Sequence, residues 1–167
     1  MRKVLLLSAV LLVAFAATVL GQDATAPAAA PAMNHVAMKP ADLKWGDAPP
    51  VFEKGAMFTV VSGNPMAEGN YVVRLKMPAG YKINPHWHPT DENVTVISGT
   101  FAIGMGDTFD KAKLEILPMG GFALLPADMR HFAMAKTAAV VQVHGMGPFK
   151  LTYVNAADDP STRGAAK

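Results

Sequence analysis

Three of the chain's five histidines fall within one β-rich stretch, and with a nearby glutamate they make a donor set that could hold a metal ion. His86 and His88 stand two residues apart, so on an extended segment both imidazoles leave the same face of the backbone. Glu92 shares their parity four residues later, past a bend expected at Pro89 to Asp91 that would turn its carboxylate back toward the pair. Two imidazoles and a carboxylate converging from a short segment suit one divalent transition metal, with Fe, Mn, Zn, Ni and Cu left undistinguished. A fourth ligand is expected from a neighbouring strand, and His131, just after the turn at Pro126, Ala127 and Asp128, is the candidate. The chain has no cysteine, which argues against a closed structural zinc site. Three neutral imidazoles and one carboxylate would leave the ion a net charge of about +1. If six-coordinate, it would keep about two positions free, for a substrate beside dioxygen or water. The plainer alternative is a group of hydrogen-bonded histidines with no ligand.

Other residues invite chemistry less strongly. His144 shares a face with Gln142 at the end of an apolar run, where it could support a metal ligand or act as a general base. A hydrogen-bonded histidine at a strand end is the plainer reading. Met105, Met119, Met129, Met134 and Met146 raise copper handling, although methionine as adaptable core filler is the more ordinary role. Met33, His35 and Met38 could also hold a soft ion, but they lie in an Ala/Pro-rich stretch better read as a solvated linker.

These side chains must be positioned by strands. Tyr71, Val73, Leu75 and Met77 alternate with Arg74 and Lys76, the period-2 pattern of a half-buried strand. Similar runs occur at 57–61, 93–98, 100–105, 114–117, 122–125, 139–144 and 149–154, separated by Gly, Pro and Asn. Beyond the first twenty residues no stretch shows a helical period. About eight to ten short strands argue for one all-β sandwich or barrel.

The spacing of the chemistry-bearing residues resembles that of the cupin superfamily. Gly80, His86, His88, Glu92 and Gly99 stand at the intervals of the first cupin motif. Gly120, Pro126 and His131 stand at those of the second, while Asp128 replaces the usual Gly and Ala135 the usual Asn. Asp tolerates a left-handed backbone, so the turn at Asp128 is expected to survive. The resemblance implies a single jelly-roll barrel, a double-stranded β-helix, with a metal inside its mouth held by His86, His88, Glu92 and His131. Trp87 should then pack outside the barrel, while Val94, Val96 and Ser98 line it. That apolar lining suits a small organic molecule better than a sugar nucleotide. The function implied is a metal-dependent enzyme, dioxygenase-like or Lewis-acid isomerase-like; the alternative is a non-catalytic module that binds or senses a small ligand or metal. Cupins are commonly homodimers, and an exposed sheet edge would favour that here.

The ends of the chain bear on its address. Arg2 and Lys3 precede an uncharged apolar run from Val4 to Leu20, which reads as a secretory signal. Cleavage before Gln22 is expected, with a second site near Ala24 and an uncleaved membrane anchor as the rival. The organisation expected is a signal peptide over 1–21, a spacer over 22–41, a cupin domain over 42–157 and a flexible tail over 158–167. The location expected is periplasmic or secreted. Without Arg2 and Lys3 the basic and acidic residues number thirteen each, so the mature chain lacks the basic surface expected of a nucleic-acid partner. The expected partner is a small molecule, with no membrane contact beyond the signal segment.

Overall fold

A computed structural model describes residues 35–163. The expected signal peptide, the expected spacer up to residue 34 and the last four residues lie outside the described residues. Eleven strands account for the fold: β1 Gly46–Asp47, β2 Met57–Ser62, β3 Gly69–Met77, β4 Lys82–Trp87, β5 Glu92–Ser98, β6 Thr100–Met105, β7 Glu115–Pro118, β8 Phe122–Leu125, β9 His131–Ala135, β10 Ala139–Gly147 and β11 Thr152–Tyr153. They form two antiparallel sheets, one in the order β1-β2-β3-β10-β5-β8 and one in the order β11-β4-β9-β6-β7. The only helical pieces among the described residues are four three-residue 3₁₀ turns, and no helix there is long and apolar enough to cross a membrane.

Each strand places its apolar set by parity. Tyr71, Val73, Leu75 and Met77 of β3, Val94 and Val96 of β5, and Val141 and Val143 of β10 are buried on one inner face. Ile83, Phe101, Ile103, Ala133 and Ala135 face them from the other sheet and complete one core. The outer face of the second sheet is covered too. Phe132, fully buried, packs its ring 5.0 Å from that of Phe109, and a Cβ on Gly104 would lie 2.4 Å from the Phe132 ring.

Several expected runs differ in the fold. The segment 149–154 pairs only at Thr152–Tyr153. Before that it forms a strap: the Phe149 N–H donates to Pro65 O, and Lys150 turns its carbonyl toward the His88 ring. β4 and β9 carry little strand signal in sequence, because Pro85 reads as a breaker and His131–Ala135 is rich in Ala. Pro85 is accommodated where the β4–β9 register shifts between Ile83 and His86, the bulge position at which a strand tolerates proline. The methionines also depart from the core-filler reading. Met105, Met119, Met129 and Met146, at strand ends and in loops, are exposed, and Met134, within β9, is half-buried; Met77 is the buried one among the described residues.

Asp128 does adopt the left-handed backbone expected of it, with φ 62°. Gly80 and Gly99 have φ 81° and 75°, but their surroundings differ. A Cβ on Gly80 meets open space, whereas one on Gly99 would lie 2.1 Å from Ala138 O. Gly80→Ala is therefore expected to cost only the backbone strain, about 1 kcal/mol. Gly99→Ala adds a backbone clash at the β5–β6 turn and should cost clearly more. Chemical denaturation of the two variants checks the order.

Candidate metal centre

The site is assembled from both sheets. His86 of β4 and His131 of β9 are directly opposite each other in the antiparallel ladder, which places both side chains on one face. His88 follows β4 at the start of the connection to β5, and Glu92 opens β5 in the other sheet. All four side chains are buried. The sequence-derived set is thus brought together: a ring nitrogen from each of His86, His88 and His131 lies within 4.8 Å of the others. The Glu92 Oε2 stands 3.4 Å from His131 Nε2 and 3.5 Å from His88 Nε2.

Hydrogen bonding decides which nitrogen of each ring faces the centre. His86 Nδ1 lies 2.7 Å from Asn84 O, His88 Nδ1 2.8 Å from Lys150 O and His131 Nδ1 2.9 Å from Met129 O. A carbonyl oxygen only accepts, so in each pair Nδ1 carries the proton and donates. In the neutral ring this leaves Nε2 with its lone pair free, the arrangement found behind metal-bound imidazoles. His88 Nε2 is buried and has no hydrogen-bond partner among the described residues. Leaving such an atom unpaired costs about 1–3 kcal/mol, a cost that a coordinated cation removes. The three buried histidines could hold a metal ion, and the donor chemistry fits one.

Electrostatics act differently on the members of the cluster. Burial, reinforced by the neighbouring His131 and His88, pushes the His86 imidazole down to about 3, so it remains neutral. Burial also opposes charge on His88, but the Glu92 carboxylate and the Lys150 carbonyl outweigh it and hold the ring above its ordinary value. Glu92 is desolvated as well, yet His88 and His131 keep it well below the usual carboxylate range and therefore ionised. At 3.5 Å the His88–Glu92 approach is long for a hydrogen bond.

Beneath the cluster lies a narrow cavity whose walls are apolar apart from His86, Glu92 and His131. Val94 lines it, as its parity requires; Val96 is buried beside it and Ser98 is half-buried. Trp87 is half-buried opposite Thr152, off the cavity wall. His144 does not join the cluster. It has the opposite parity to Val141 and Val143, and it lines an outer groove with Asn70, Thr90, Asp91 and Asn93. Among the described residues its side chain therefore stands across the sheet from the metal-facing nitrogens, and no group takes its place as a base on the cavity wall.

Two contributors had no signal in the sequence. Phe149 lays its ring 5.1 Å from that of His88 at 34°, and the Lys150 carbonyl reaches the same histidine from 62 residues away. A backbone carbonyl carries no side-chain identity, so no motif could mark it.

Two antiparallel sheets enclosing a buried cluster of three histidines and a glutamate define a cupin. The sequence matches the family described as the ChrR cupin-like domain over residues 33–150, and this chain belongs to that family. Solved structures agree on the fold. The polyketide cyclase RemF of Streptomyces resistomycificus superposes with a TM-score of 0.63 at 15% identity, over 80% of this chain and 94% of that one. A candidate acetylacetone dioxygenase of Methylibium petroleiphilum gives 0.59 at 17%, over 80% and 95%. An RmlC-like cupin of Shewanella frigidimarina gives 0.54 at 16%, over 68% and 91%. Comparison with curated proteins finds no match.

His86→Ala and Glu92→Gln are expected to weaken metal binding by more than about 10-fold, the loss that follows removal of even an outer partner of a ligand. The barrel should remain folded in both. Elemental analysis after dialysis, alongside circular dichroism, checks this; undiminished occupancy in both variants would remove the site.

Proposed function

We propose that this chain is an exported, metal-dependent cupin enzyme acting on a small, partly apolar molecule, by oxygenation in preference to isomerisation. The observation that carries the reading is the convergence of three Nε2 atoms, each fixed by an Nδ1–H bond to a backbone carbonyl. His86, His88, His131 and Glu92 would hold one divalent transition metal, which would supply Lewis acidity and open coordination positions. Glu92 offsets part of the ion's charge inside the barrel, and the apolar walls keep bulk water from the reacting centre. An isomerase needs a group to move a proton. The three imidazoles and Glu92 are committed to the ion, and His144 lies on the outer face, so none of these groups is left to move one, and this favours oxygenation.

The named chemistries of two structural neighbours, a polyketide cyclase and a candidate acetylacetone dioxygenase, support small organic substrates as a class without selecting one. The same missing base favours, as the second reading, a module that binds or senses a ligand or metal without turnover. Export rests on Arg2, Lys3 and the apolar run to Leu20. Outside the cytoplasm copper and zinc compete most strongly for such a site, so isolated protein is expected to carry zinc whatever its working metal. A homodimer is proposed from the open β8 edge, where Phe122 and Leu124 are about half exposed; light scattering at twice the chain mass checks it.

Protein from its native compartment is expected to contain one metal per chain. It is expected to consume oxygen or convert substrate with a small library of phenols and carbonyl compounds. Stoichiometric metal with no turnover in either group would favour the binding module instead.

A further inference from the structure

The cavity under the cluster is too small for the organic substrate that the proposed function requires. The space open to the centres of water-sized molecules is about 30 Å³, where a single water needs roughly 10–15 Å³. It accommodates a guest of two or three atoms. Its walls include Val73 and Leu75 of β3, Val141 and Val143 of β10, and Phe101 and Ile103 of β6. Its polar groups, His86, Glu92 and His131, are gathered at one end.

A buried water is held by about two to four polar partners. Away from the cluster this cavity supplies none. The backbone groups of β3, β5, β9, β10 and β6 are engaged in the sheet ladders, and the side chains are hydrocarbon or aromatic apart from the weakly accepting thioether of Met77. Cavities of that character stay dry and admit apolar guests. Transfer out of water favours such a guest in proportion to the apolar surface it hides.

We propose that this cavity is a pocket for a small apolar gas molecule, of the size and polarity of dioxygen, opening onto the metal-facing nitrogens. Larger organic molecules do not fit it. The use of such a guest in oxygenation rests on the function proposed above, whereas the pocket itself does not.

Xenon, a monatomic apolar probe, tests the pocket without turnover. Methyl resonances of Val73, Leu75, Val141 and Val143 in the full chain, both metal-free and zinc-loaded, are expected to shift saturably under xenon pressure. Benzene should produce no such shift. Val141→Leu adds a methylene to the cavity and is expected to abolish the xenon response, while Val140→Leu, on the other face of β10, should retain it. A wild-type barrel whose methyls ignore xenon, or show contacts to ordered water, overturns the pocket. A benzene response equal to that of xenon overturns the size limit. Loss of the metal reading would show instead as absent metal with the xenon shifts intact, so the two failures are told apart.

Discussion

The arrangement rests on three hydrogen bonds from imidazole Nδ1–H to backbone carbonyls. Each fixes a tautomer as well as a ring orientation, and together they turn three Nε2 lone pairs toward one point. Two of the bonds are local: Asn84 and Met129 lie two residues before His86 and His131. The repeated device makes opposite strands, β4 and β9, present the same donor in the same way. The third is remote, since the Lys150 carbonyl reaches His88 only after the chain has completed ten strands. Glu92 ties the group together electrostatically. A buried carboxylate costs several kcal/mol unless it is compensated, and here its compensation is the same histidines.

Much of the rest of the barrel serves to hold these carbonyls in place. The register shift at Pro85 brings His86 opposite His131. The C-terminal strap that carries Lys150 is anchored by contacts with the loop before β2: the Tyr153 hydroxyl donates to Val51 O, and Arg163 pairs with Glu53. Tyr81 donates to Glu53 O from the start of the second sheet. Such bonds span much of the chain, so His88 is oriented by the closed fold and not by its own neighbourhood. The interior is packed tightly enough that little space remains below the cluster, and that scarcity sets the size of any guest.

The strands that could be read from sequence were those with an uninterrupted alternation, such as Tyr71 to Met77, whose burial follows its parity residue by residue. β4 and β9, the two that carry the histidine pair, could not be read that way, because Pro85 interrupts one and the inward positions of the other are His131 and two alanines. Their position was legible only through motif spacing, that of Gly80, His86, His88, Glu92 and Gly99 for β4 and that of Gly120, Pro126 and His131 for β9. His144 shows the limit of type without geometry. A histidine at a strand end near other histidines invites a catalytic role, yet one step of parity puts it on the opposite face of the sheet.

What the sequence determined by itself was the donor set, the all-β class and the left-handed turn at Asp128. Each depends on residue types at short spacing, where local backbone geometry leaves few alternatives. What only the tertiary structure decided was the tautomer of each imidazole, the place of His144 outside the site and the narrowness of the cavity. These depend on carbonyls and packing surfaces brought together from distant parts of the chain, and no local pattern of residues encodes where a backbone oxygen will be once two sheets have closed on each other.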